Sequence, residues 1–267
     1  MSTGRGLGNN AAGRLHIFFT ELRNSLSSIK EAQKAWAQTL KLSSEKQSVV
    51  GYRIAEAIVA CDRELTLITA ALRDSNYAEN LTEPYFQTLR NVLSLNLLQS
   101  QSSQTNQYLR EEVLLSLRWA SVVLPDEDHQ ATAESMAELQ ALVAELEAAL
   151  QSQGIPPHFK QYARGLLDSL RSAMSMWPIQ GEAPLRNAVR KAVADAQFEE
   201  DVLKAELAEM GGHPEVETLR EKIGSAIKKA ATMTGDIEKL SKGYGYLLEK
   251  GRDFGQVIAD GISSLGQ

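Results

Sequence analysis

From Leu15 onward, apolar positions recur at helical spacing. Leu15, Phe19, Leu22, Leu26, Ile29, Gln33, Trp36 and Leu40 step alternately by four and three, so they share one face of a helix. Ser43 or Ser44 can cap a second helix, whose face runs Val50, Ile54, Ala57, Cys61, Leu65, Ile68 and Leu72. The pair is predicted to form a long antiparallel hairpin. Thr82 opens a third helix with Pro84 in its first turn; Leu89, Val92, Leu93 and Leu97 face inward. The polar run QSQSSQTNQ (99–107) reads as either a polar connection, the favoured reading, or a fully exposed helical stretch. A fourth helix carries Leu109, Val113, Leu117 and Val123 and stops at Pro125. Asp126-Glu127-Asp128 is expected to open a fifth, with Met136, Leu139, Val143, Leu146 and Leu150 on its face. Gly154 and Pro156-Pro157 separate it from a sixth, with Phe159, Tyr162, Leu166, Leu170, Met174 and Trp177. Trp177-Pro178-Ile179-Gln180-Gly181 is the clearest break. A seventh helix is predicted from about Pro184 to Met210, where Gly211-Gly212-His213-Pro214 ends it.

The most regular pattern comes last. Val216, Leu219, Ile223, Ala226, Ala230, Met233, Ile237, Leu240, Tyr244, Leu247, Gly251, Phe254, Ile258, Gly261 and Leu265 alternate by three and four through seven heptads. Ile227, Leu248 and Ile262 lie beside this seam and widen it beyond a two-stranded coiled-coil stripe. The glycine-rich tail therefore continues the register of the helix before it. Gly251, Gly255 and Ala259 form a smooth ridge of small residues, which lets another backbone approach closely. Gly243 and Gly245 are expected to kink the helix, since glycine costs about 1 kcal/mol in a helix interior. Unbroken, a 50-residue helix would be ~75 Å long. It must bend, protrude or meet a second copy.

These elements predict an all-α protein: an elongated antiparallel helical bundle with a long coiled-coil-like C-terminal helix kinked near Gly243–Gly245. The expected organisation is a flexible arm over 1–13, helical hairpins over 14–124, a central helical segment over 125–210 and the heptad helix with its tail over 211–267. Composition agrees with helices: 43% apolar, 6% aromatic and only 7 prolines in 267 residues. The formal net charge of −6 argues against general nucleic-acid binding, which needs a basic footprint. No apolar leader and no apolar run long enough to span a bilayer is visible, so a cytoplasmic protein is expected. The single cysteine, Cys61, sits at core spacing and reads as a buried thiol.

Catalytic patterns are missing. Gly4-x-Gly6 has no strand before it, and the tail glycines do not match a phosphate-binding loop, which needs Gly-Lys-Ser/Thr after the first Gly and four residues. His16, His129, His158 and His213 are not paired at metal-ligand spacing. The acidic runs 126–128 and 199–201 read as a helix N-terminus and a solvated helix face. Arg186, Arg190 and Lys191, and separately Lys228 and Lys229, are small basic clusters that could meet an acidic partner. Trp36, Trp119 and Trp177 read as packing residues. No catalytic residue, metal, cofactor or small-molecule ligand is implied.

The stretch LPDEDHQ, a Leu-rich helix and GIPPHFKQYARGLLDSLRSAMSMWPIQGEAPLRNAV resembles uncharacterised bacterial all-helical proteins with an aromatic-x-Ile-x-Gly hinge and Leu four residues on. Trp177, Ile179, Gly181 and Leu185 carry the match, over roughly residues 124–193. The resemblance implies a bacterial cytosolic origin and no activity. The expected function is a non-catalytic interaction or assembly protein, using a protein partner or self-association. Its predicted seam is Leu240, Tyr244, Leu247, Gly251, Phe254, Gly255, Ile258, Gly261, Ile262 and Leu265. One alternative is a toxin-like or defence effector whose amphipathic tail lies on a membrane surface. Another is an enzyme with a site in the bundle core.

Overall fold

The computed structural model describes residues 6–42, 47–77, 81–127, 132–209 and 213–235. Among them it is all-α, with eleven α-helices packed together: α1 (Ala11–Ser28), α2 (Ala32–Thr39), α3 (Gln47–Asp74), α4 (Glu83–Val92), α5 (Ser102–Asn106), α6 (Glu111–Val123), α7 (Ala133–Ala149), α8 (Pro157–Gln180), α9 (Ala183–Phe198), α10 (Glu200–Glu209) and α11 (Pro214–Thr234). The chain divides into two compact units. Unit 1 holds residues 1–130 and 175–181; unit 2 holds 131–174 and 182–267.

In unit 1, α1 packs mainly on α6, α2, α5 and α3, and α4 packs on α6. Leu15, Phe18, Phe19, Leu22, Trp36, Ile54, Leu65 and Phe86 are fully enclosed. Burying each of the larger apolar side chains contributes about 1.5–3 kcal/mol. Phe18 lies between Phe19 and Trp36, with ring centroids 5.6 and 5.7 Å away. Trp119 meets Tyr77 edge-on at 5.3 Å and is half-buried, as is Trp177.

In unit 2, α11 packs on α7 and α9. Val216, Leu219, Ile223, Ala226, Ala230 and Met233, the first six seam positions, are all buried there. Ile227 beside the seam is buried too, so the wide stripe serves two neighbours at once.

Several boundaries differ from the periodicity. The face from Leu15 to Leu40 belongs to two helices. Ile29 is extended (φ −113°, ψ 132°), and the chain turns at Lys30–Glu31 without a proline or glycine. The backbone there pairs with the polar connection: Ser102 N–H donates to Lys30 O at 2.9 Å and Ala32 N–H to Ser100 O at 3.3 Å. Residues 99–107 are thus a connection that includes the one-turn α5, with Ser102 and Thr105 buried. At the start, α1 begins at Ala11, inside the stretch expected as an arm over 1–13. Asn10 caps α1 by accepting from Gly13 N–H at 3.1 Å, while its Nδ2 donates to Ser121 O at 2.9 Å. Thr82 stands at the N-cap of α4 without a side-chain capping bond.

The acidic run 126–128 does not open α7. That helix starts at Ala133, capped by Thr132, whose hydroxyl accepts from Ser135 N–H at 3.1 Å. Asp126 instead accepts from Asn9 N–H at 2.5 Å. The break expected at 177–181 falls at its far end. Pro178 lies inside α8, where it cannot donate to the Met174 carbonyl, and the helix persists to Gln180. The predicted seventh helix is two, α9 and α10, parted at Glu199. Finally, α11 stops at Thr234. Gly235 adopts a left-handed conformation (φ 68°), and its N–H turns back to Ala231 O and Thr232 O. The heptad helix predicted from Val216, expected to bend only near Gly243–Gly245, is thus already capped at Gly235; Gly243, Gly245 and the rest of the tail lie outside the described residues.

Candidate functional site

The predicted seam of Leu240, Tyr244, Leu247, Gly251, Phe254, Gly255, Ile258, Gly261, Ile262 and Leu265 lies wholly outside the described residues. Ser43, Ser44 and His129 do as well. Among the described residues, no group of three or more His, Cys, Asp or Glu side chains is placed to hold a metal ion. No helix there is long and apolar enough to cross a membrane.

The other sequence-flagged groups have local duties. Cys61 is enclosed; burial pushes its thiol pKa well up, helped by the nearby Glu64 and Asp62 charges. The His16 ring donates from Nδ1 to Leu114 O at 3.0 Å. Glu206 of α10 closes the exposed start of α8. It accepts from Phe159 N–H at 2.9 Å, His158 N–H at 3.3 Å and His158 Nδ1 at 2.7 Å. Burial alone would raise its pKa, but these donors outweigh it and hold the carboxyl below its ordinary value. Arg186 ties α9 to the end of α11 by donating to Thr234 O at 3.2 Å. Lys191 pairs with Asp195, and Lys229 with Glu138. Arg186, Lys191 and Lys229 are thus engaged in helix-to-helix and surface pairs.

The hinge residues have a clear structural account inside unit 1. Gly181 is left-handed (φ 61°), and its N–H donates to Trp177 O at 3.0 Å. A Cβ there would lie 3.0 Å from the Arg14 guanidinium carbon. Arg14 Nε donates to Ile179 O at 3.3 Å. The same guanidinium pairs with Glu127 and reaches Glu64 at 3.9 Å. So α1, α3, the segment after α6 and the last turn of α8 converge on one cation. Glu64 is 7% exposed, and burial raises its pKa despite the opposing pull of Arg14. Arg14 Nε and Nη1 donate to Ile179 O and Glu127, and Nη2 faces Glu64 at ion-pair distance, so the cluster acts as a clamp. Ile179 is buried in unit 1 and Leu185 separately in unit 2, which accounts for the apolar character of both positions.

The residues that sequence periodicity missed lie on the outer side of α3. Its inner face is core, as expected. Opposite that face, Tyr52, Val59 and Leu67 are 64%, 69% and 53% exposed. Successive α-helical residues rotate by 100°, so Tyr52, Glu56, Val59, Arg63 and Leu67 fall within one narrow stripe. A groove of about 420 Å³ runs along it, lined by Tyr52, Ala55, Glu56, Val59, Ala60, Arg63 and Gln180. Glu56 accepts from Arg53 at 2.9 Å on the same helix, and Arg63 is exposed. The readable signal was a second apolar phase in α3, diluted by two charged residues. The groove is shallow and mostly apolar, flanked by the opposite charges of Glu56 and Arg63. Compared with known proteins, the chain matches no family model, no curated protein and no solved structure.

Proposed function

We propose that this is a non-catalytic helical interaction and assembly protein. The observation that carries the reading is the outer face of α3, where three large apolar side chains stand in water on a helix already buried along its other side. Solvent-exposed apolar side chains clustered in one stripe mark interaction surfaces more often than chance exposure does. The apolar positions from Leu240 to Leu265 form a second contact element of the same reading, drawn from sequence alone.

The test compares the full chain with Val59→Asp and with a chain ending at Lys242, by light-scattering mass and chemical crosslinking. At least one variant is expected to lose mass or a crosslinked partner. If both variants keep the mass and every crosslinked partner of the full chain, the interaction reading is wrong.

A further inference from the structure

We infer that the outer face of α3 receives α3 of a second copy of this chain, antiparallel, about a two-fold axis passing between Val59 and Ala60. The inference rests on the interaction reading above and commits it to one partner.

A two-fold contact places the same surface on both sides, so the surface must complement its own inverted copy. The α3 stripe does. Residues equidistant from the midpoint of Val59 and Ala60 face each other across such an axis. Tyr52 then meets Leu67, an aromatic ring against an aliphatic side chain, at both ends of the contact. Glu56 meets Arg63, an anion against a cation, and the symmetry makes this pair twice. At the centre the exposed Val59 side chains of the two copies meet each other.

This register sets opposite charges against each other while keeping all three exposed apolar residues in the contact. From Tyr52 to Leu67 the contact is about 22 Å long. One helix wide and that short, it falls below the ~1,000 Å² of a stable interface, so the dimer is weak and depends on concentration.

The experiment is sedimentation equilibrium on the full chain over a concentration series, with helix content followed by circular dichroism. The wild-type mass is expected to rise from monomer toward dimer, and Val59→Asp to stay at the monomer mass with unchanged helicity. Glu56→Arg and Arg63→Glu each set two like-charged pairs across the axis, and each alone should self-associate about tenfold more weakly. Mixed in equal amounts, these two variants restore both pairs and should recover the wild-type dimer.

A wild-type mass that never leaves the monomer overturns the inference. So does a mass rise that Val59→Asp leaves intact, or a mixture no better than its components. If Val59→Asp loses a crosslinked foreign protein while the wild type stays monomeric, self-pairing is wrong and the interaction reading stands.

Discussion

α3 and α11 are both long amphipathic helices, yet they spend their apolar surface differently. α11 has the cleaner pattern, and its six described seam positions disappear into unit 2 against α7 and α9. α3 has a core face interrupted by a buried carboxylate, Glu64, and a second apolar face that none of the described residues covers. The more perfect heptad repeat marks a core, and the less perfect stripe marks a surface. The physical reason is desolvation. A helix buried between two neighbours must exclude charge from every seam position, because an unpaired buried charge is costly. A weak contact surface needs charges at its edge, both to stay soluble when free and to select a register when bound.

The comparison breaks most visibly in the two cores. Ile223→Ala in α11 and Ile54→Ala in α3 each remove a side chain that is 0–1% exposed. Each should cost about 2–5 kcal/mol in urea unfolding. A cost below 1 kcal/mol at Ile223 would mean that the seam is not core.

The stop at the end of α11 offers a smaller effect. Gly235→Ala places a Cβ on a left-handed backbone and should cost about 1–2 kcal/mol. A stabilised variant, with added helicity, would show instead that α11 is free to run on.

The buried charge of α3 is read by pH. Glu64 has a folded pKa above its ordinary value, so the folded state binds the proton more tightly than the unfolded chain. Its contribution to stability is fully present below the ordinary carboxylate pKa and is lost as pH rises through the raised one. Glu64→Gln should remove that dependence, seen as a flatter urea midpoint between the ordinary and the raised value. Glu206 runs the other way. Its folded pKa is lowered, so its contribution is present above the ordinary value and lost as pH falls through the lowered one. Glu206→Gln should cost about 1 kcal/mol at neutral pH and little in acid. Equal slopes in the two variants would contradict the opposite environments of these carboxylates.

The smallest expected change is at the outer face. Val59→Ala should alter unfolding of the dilute protein by less than about 0.5 kcal/mol, since the side chain is 69% exposed. A loss near that of Ile54→Ala would show that the face is covered within the monomer.

Periodicity by itself determined the helical class and the inward faces of α3, α6, α8 and α11. Leu65, Leu117, Leu166 and Leu219 are buried where their spacing puts them. The spacing is enough because an amphipathic helix has one stable way to hide a stripe. The stop of α11 at Gly235 was not read from periodicity, because the apolar seam continues past it in the same register. Tertiary structure alone decided the rest. The break between α1 and α2 has no local signal; it exists because residues 100–102 supply hydrogen-bond partners to a turn there. The acidic run at 126–127 serves Asn9 and Arg14, more than a hundred residues away, and not the helix that follows it. Gly181 is needed both for its backbone angle and for the guanidinium lying against it, and only the first need is written in the local sequence. Exposure of the second α3 face was decided the same way. A sequence shows that a helix has two apolar sides, but only the packed chain shows which side its own neighbours leave to water.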